Sequence, residues 1–409
     1  MRRDDAPSRG FMVGLGVAYL AAFIAMAPLL GMLVPLRAEA IDPAAKEQIL
    51  STALFWGAIM AAGSNVLVGV FSDRTRSRLG RRRPWMAGGV VGVLASYGVI
   101  ATASSGLTLA LGVVLFQAAF NALLAALLAL FADRVPAHAR ARLSAVMGMG
   151  YPLANMIGAA LVGGWLAQDW ARYGALALVL VVGVLPFVAR AGDRPSINST
   201  AAPSDSAPPS ASILGPFAHR DFVLVWLGRA AMTTGFVTGS IYLLYFIAAE
   251  TDFQARYGAP PEMGLALLTG VSFGLVLGVS LVVALAGGRL GRRRDLAVGG
   301  ALILAVGGAL LAVASAWPWV VLAFAIHGLG TGVYYAVETG LMVDALPARD
   351  RKGGDLGLIN LAAALPQAWA PLLSLGTLAL FSGGYRPVLW LSTAVFLLGA
   401  ALFLGVRRR

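Results

Sequence analysis

The chain has 409 residues, of which 59% are hydrophobic and 12% charged, with a formal net charge of +12 and a mean hydropathy of +0.80. Soluble domains carry about 25% charged residues, so most of this surface is built to face lipid rather than water. The basic residues lie between apolar spans instead of on one soluble face, which excludes a nucleic-acid binder, and the absence of cysteine excludes disulfides, thiol catalysis and thiolate metal sites.

Met1-Arg2-Arg3 leads into an apolar run from Phe11 to Leu36, followed by Arg37-Ala38-Glu39-Ala40. This mimics a cleavable signal peptide, but the run exceeds the ~7–15 residues of a signal core and is read as a retained first span. Eleven further apolar stretches of about the length that crosses a bilayer follow. They lie near 50–71, 84–104, 107–132, 142–168, 172–190, 221–249, 264–287, 295–315, 317–344, 356–381 and 385–406. The chain is therefore expected to be an all-α integral membrane protein with twelve transmembrane helices. Its many glycines and prolines fit that solvent, where small residues let helices approach and neighbouring groups compensate the backbone.

The even-numbered gaps between spans are basic: Arg74 to Arg83, Arg134 to Arg142, Arg190 to Arg220, Arg289 to Arg294, and Arg349 to Lys352. Both tails are basic too. The odd gaps carry Glu39, Asp42, Glu47, Asp169, Glu250, Asp252 and Glu262. The positive-inside rule then places both termini and every even gap in the cytoplasm. One gap differs in kind. Residues 192–216 are rich in Ser, Pro and Ala and read as a cytoplasmic linker between a first six-helix bundle, 1–191, and a second, 217–409.

The two halves repeat. "LGRRRPWMAGG" at Leu79 to Gly89 returns as "LGRRRDLAVGG" at Leu290 to Gly300, with seven identities in eleven and an offset of 211. The same offset carries Asp133 to Asp344, Pro136 to Pro347 and Arg140 to Arg351. This is the mark of a parallel duplication, two pseudo-symmetric bundles related by an axis along the membrane normal.

With these loops in view, the sequence resembles the major facilitator superfamily over essentially its whole length. "GVFSDRTRSRLGRRRPW" (Gly69 to Trp85) is similar to that superfamily's loop motif after its second helix, in the extended form of sucrose-type and glycoside–pentoside–hexuronide sugar:cation symporters. "LFADRVPAHARARLSAVMG" and "LMVDALPARDRKGGDLGLINLAAALPQAWAP" resemble loops and helices of bacterial carriers in that branch. Melibiose-type sodium carriers place acidic residues in helix two, where this chain has Ser64 and Asn65, which speaks against a sodium site of that type. The resemblance implies a small-molecule substrate, a functional monomer in a bacterial inner membrane, and no cofactor. It also implies a conformational gate in the loops, built from Asp73, Arg74, Arg78, Gly80, Arg81, Arg82, Arg83, Asp133, Arg140, Asp344 and Arg351. Charge-assisted bonds from the arginines to helix ends and acidic partners would form when the cytoplasmic side closes and break as it opens.

Ionisable residues at membrane depth are costly, at least ~2.5–3.5 kcal/mol on insertion scales, and so point to function. Glu338 lies six residues before Asp344, and His327, Thr331, Tyr335 and Glu338 follow helical spacing on one face. Glu338 is the candidate proton carrier, with a fixed ion pair as the structural alternative. Arg229, eight residues past Asp221, is a candidate to bind an anionic group, to pair with Glu338, or to snorkel to the interface. Gln117 and Asn121, Tyr151 and Asn155, and Asn360 and Gln367 form helical-face pairs, and Tyr242 marks span seven beside Thr233, Thr234 and Tyr245. Amides, hydroxyls and rings suit a neutral, hydroxyl-rich ligand, and equally suit interhelical hydrogen bonds. His327 alone is a weak signal, and no Gly-Lys-Ser/Thr phosphate loop or metal cluster is present.

The expected activity is secondary active transport, not enzymatic catalysis: proton-coupled symport of a small hydroxylated solute, a sugar or glycoside, by alternating access. Sodium is kept as an alternative coupling ion. Two other readings are proton-coupled efflux of an amphiphilic compound and a non-transporting membrane assembly factor.

Overall fold

The computed structural model describes residues 9–75, 77–135, 137–190, 215–286, 291–346, 354–381 and 384–407. Among them every regular element is helical. Lipid offers the backbone no hydrogen-bond partners, and a helix satisfies its amides internally.

The chain divides into two compact units, Met1–Thr200 and Ala201–Arg409. The first holds α1 (Arg9–Pro28), α2 (Val34–Ile41), α3 (Lys46–Arg74), α4 (Arg83–Ala101), α5 (Gly106–Arg134), α6 (Ala137–Ala159) and α7 (Asp169–Arg190). A π-helical turn, Leu29–Leu33, joins α1 to α2 into one long first span, and a second, Ala160–Trp165, extends α6. The first follows directly on Pro28, whose ring cannot donate into the ladder. Ser105 starts α5 with a reciprocal capping box to Thr108.

The second unit holds α8 (Arg220–Ile241), α9 (Leu243–Glu250), the short α10 (Phe253–Tyr257), α11 (Pro261–Ala286), α12 (Arg293–Val313), α13 (Trp317–Ala345), α14 (Gly354–Leu380) and α15 (Arg386–Leu404). Span seven is thus two helices, α8 and α9, broken at Tyr242. Ten described stretches are long and apolar enough to cross a membrane. The other two long helices, α3 and α6, have side chains described only in part. Large apolar side chains are exposed along the spans, Leu107 at 70% and Leu285 at 77% among them, as lipid-facing positions require.

The duplication reaches into the packing. In the first unit α1 packs on α6 and α7, α3 on α5, and α4 on α5 and α7. In the second, α8 packs on α14 and α15, α11 on α13, and α12 on α13 and α15, the same scheme element for element. The contacts keep the loop offset. A Cβ added at Gly89 would lie 2.9 Å from both Ala119 O and Leu123 N, and one at Gly300 would lie 3.0 Å from Gly330 O and 3.1 Å from Tyr334 N. Each residue of the second set is 211 positions after its counterpart. In the first span Val17 and Gly228 keep the offset, while their sixth-helix partners stand 216 apart: a Cβ on Gly183 would meet Val17 O at 3.7 Å, and one on Gly399 would meet Gly228 O at 3.7 Å. The loop glycines match too, Gly80 at φ +95° and Gly291 at φ +117°, a region side chains rarely adopt.

Each unit closes with an arginine. Arg83 donates to Ala189 O in the last turn of α7 at 3.1 Å. Its repeat partner Arg294 donates to Phe403 O at 3.1 Å and to Leu404 O, in the last turn of α15. A guanidinium there satisfies carbonyls that the helix leaves free and meets the negative end of its dipole.

Candidate functional site

In the second unit, α8 carries Thr234 and Thr238, whose hydroxyls bond back to Ala230 O and Thr234 O at 2.8 and 2.7 Å. Those hydroxyls are thereby satisfied within the helix. Arg229, on the same helix, reaches its partners outside it. Its Nε lies 2.7 Å from Oε1 of Glu338 on α13, and its Nη1 donates to Ile359 O of α14 at 3.3 Å. The side chains are 17% and 18% exposed. The Nε–H is not aimed along the line to Oε1, so the contact is an ion pair more than an aligned hydrogen bond. Pairing, one of the alternatives open in the sequence, is what the structure shows, and it joins three helices at one point.

The α13 face continues away from Glu338. Thr331 donates to His327 O at 2.8 Å, with its hydroxyl 3.4 Å from His327 Nδ1. The His327 ring lies among Phe236, Phe324 and Phe396, with centroids 5.7, 6.1 and 6.1 Å away. Tyr335 is half-exposed and meets Phe236 at 5.6 Å. Phe236 is therefore the hub that connects His327 and Tyr335. On α14, Asn360 and Gln367 are exposed, and Gln367 Nε2 donates to Ala363 O at 3.2 Å. Trp369, two residues on, sends its indole N–H to Thr234 Oγ1 at 2.9 Å.

Tyr242 lies elsewhere. It is 3% exposed at the α8–α9 break, stacked on Tyr245 at 6.4 Å and tilted on Tyr385 at 5.9 Å. Next to that ring cluster Glu250 pairs with Arg386 at 2.8 Å and accepts from Tyr385 N. Arg386 reaches on to Ala312 O, Val313 O and Ser315 Oγ, while Asp252 accepts from Trp317 N at 2.6 Å. This network ties the odd-gap ends of α9, α12, α13 and α15 together.

In the first unit the two amide pairs bond along their own helices. Asn121 Nδ2 donates to Gln117 O at 2.8 Å and lies 3.3 Å from Gln117 Oε1 on α5. Asn155 Nδ2 donates to Tyr151 O at 2.9 Å on α6. Phe23 of α1 bridges the two helices, 5.7 Å from Phe120 and 5.5 Å from Tyr151.

Of the loop residues, Arg82 is buried and donates to Ser72 Oγ at 2.6 Å, Arg78 is exposed, and Arg81 is half-buried. Asp344 is held by Arg293 of its own unit at 2.7 Å. The side chains of Asp73, Arg74, Asp133 and Arg140, all of Arg351, and linker residues 191–214 lie outside the described residues.

Sequence reasoning missed Phe236, Trp369 and Arg386. An aromatic ring inside an apolar helix gives no signal of its own. Arg386 sits at a helix start, where one arginine reads as an interfacial anchor. Trp369 had the better signal, lying two residues past Gln367 in a helix already marked for its amides.

A duplicated bundle of long apolar helices with a charged pair inside it defines a polytopic membrane carrier. The sequence matches the Major Facilitator Superfamily model over residues 10–290 and 234–409, and the chain belongs to that superfamily. Membership makes it a membrane transporter, not an enzyme. No curated protein matches the sequence significantly. Among solved structures it is similar to the POT family transporter PepTSo (TM-score 0.74, 11% identity, 97% of each chain). It is also similar to a peptide transporter POT in complex with sulfate (TM-score 0.74, 15% identity, 98% of this chain and 96% of that one). The nucleoside transporter NupG matches at TM-score 0.71 and 11% identity over 97% and 98% of the two chains. At such identities the likeness is one of fold.

Proposed function

We propose that the protein is a proton-coupled symporter of a small, uncharged, hydroxyl-rich solute, a sugar or glycoside, with Glu338 as the proton carrier and Arg229 as its switchable partner. The observation that supports this is the duplication. By the shared offset, Arg229 corresponds to Ala18 and Glu338 to Leu127, both fully buried apolar residues in the first unit. The same scaffold packs without a charged pair, so architecture does not require one in the second unit. A carboxylate beside a guanidinium within the spans has two stable arrangements, paired when ionised and released when protonated, which is what coupling needs.

The solute class follows from charge. Arg229 and Glu338 together leave this wall neutral, and the remaining candidates there, Thr331, Tyr335, Asn360 and Gln367, carry donors, acceptors and ring faces without charge. Gln117, Asn121, Tyr151 and Asn155 offer the same chemistry in the first unit. Both termini and the even gaps are assigned to the cytoplasm, in a bacterial inner membrane.

The test is uptake into proteoliposomes under an imposed pH gradient, with labelled sugars and glycosides beside nucleosides, dipeptides and cationic dyes. Sugar accumulation that collapses with the gradient is the expected result. Glu338→Gln should lower gradient-driven accumulation at least tenfold and retain solute exchange. Undiminished accumulation in that variant removes Glu338 from the coupling step. Transport confined to dyes replaces the solute class with an amphiphile.

A further inference from the structure

The duplicated basic loops do not end in the same local structure. In the first unit Arg82 is folded inward onto Ser72 and is 7% exposed. Its repeat partner Arg293 is 54% exposed and borders a cavity of about 270 Å³. The rim of that cavity is charged: Arg292, Arg293, Arg294 and Arg407 against Asp221 and Asp344. Its floor is apolar, formed by Val225, Leu341 and Val406, each buried.

Two of the four arginines are already committed. Arg293 holds Asp344, and Arg294 holds the carbonyls of Phe403 and Leu404 with 11% of its side chain exposed. Asp221 accepts from the Arg407 backbone amide at 3.3 Å. The guanidinium groups of Arg292 and Arg407 have no ion pair or hydrogen bond among the described residues, although both border the cavity. The lining carries four cations against two anions, and Asp295 pairs with Arg294 at 3.5 Å, so the surplus is positive. A positive surplus suits an anion, and paired guanidiniums match phosphate oxygens in geometry as well as sign. A space of about 270 Å³ is more than an inorganic ion fills. The apolar floor gives the rest of an ester a place to lie.

We propose that this cavity, at the even-gap end of α8, α12, α13 and α15, is a binding site for a phosphate ester, with Arg292 and Arg407 as its principal anion contacts. It is separate from the Arg229–Glu338 pair and belongs to the second unit alone. The chemistry has two sources, the headgroup of an anionic phospholipid or a soluble phosphate monoester. The site is independent of which solute the protein carries.

Thermal unfolding of the purified full-length protein separates the sources. One arm adds glycerol 3-phosphate, a soluble monoester, in detergent. The other compares phosphatidylcholine nanodiscs with and without phosphatidic acid. A rise in Tm with phosphatidic acid and none with glycerol 3-phosphate identifies a lipid headgroup, and a rise with glycerol 3-phosphate in detergent identifies a soluble ligand. In either case the Arg292→Ala/Arg407→Ala variant should weaken apparent affinity at least tenfold. Arg190→Ala, an exposed arginine outside the cavity, should leave it unchanged. No rise in either arm, or a rise of equal size in the double variant, overturns the proposal. If the double variant fails to purify, Arg292→Lys/Arg407→Lys serves instead: it keeps the charge, removes the planar fork, and should weaken affinity for the same ligand.

Discussion

Arg229 and Glu338 show how little of a charged pair's presence is explained by stability. Removing one partner of a buried pair costs about 3–5 kcal/mol, whereas replacing both with apolar groups is often neutral. With 17% and 18% of the side chains exposed, the lower end of that range applies. Arg229→Ala and Glu338→Leu should each destabilise by about 3 kcal/mol. The double variant reproduces the residues at the equivalent positions of the first unit, Ala18 and Leu127, and should recover most of that loss. Chemical unfolding in detergent checks the stabilities, and uptake checks that the recovered protein no longer couples to protons. A double variant as unstable as either single one removes the comparison between the units.

At the scale of elements, close approach is set by backbone. Gly330 of α13 faces Gly300 of α12, and a Cβ there would come within 2.9 Å of Gly300 O, Leu304 Cγ and Leu304 N. Overpacking of that kind costs about 1–3 kcal/mol, so Gly330→Ala should lower Tm, while Gly299→Ala, with nothing within 4 Å, should not. The spans themselves were legible in the sequence, because the thickness of a bilayer imposes one length on every crossing helix. So were the repeat and the α13 face, which rest on identity and on a 3.6-residue period. The π-helical turns at Leu29–Leu33 and Ala160–Trp165 and the break at Tyr242 were not, because averaging hydropathy over a span erases them. Nor was the pairing of Arg229 with Glu338 decided, since they lie on different helices and no local pattern links them. The Glu250–Arg386 network was hidden for a related reason: charges at helix ends read as loop charges until tertiary structure brings them together.

For the whole molecule, topology is the open arrangement that a chain without cysteine makes simple to measure. Single cysteines at Ser77, in the first even gap, and at Ala44, in the first odd gap, have no native thiol to compete with them. In right-side-out cells Ala44→Cys should react with an impermeant maleimide and Ser77→Cys only after permeabilisation, as the arginine bias requires. The reverse pattern inverts the orientation. The terminal arginine caps carry a consequence for synthesis. Arg83 waits 106 residues for Ala189, and Arg294 waits 109 for Phe403. Neither basic loop completes its bonds until the sixth helix of its own unit has emerged, and neither cap draws on the other unit. A ribosome that has released α7 has delivered the partner of Arg83, so the first half can close as a finished assembly before the second half exists.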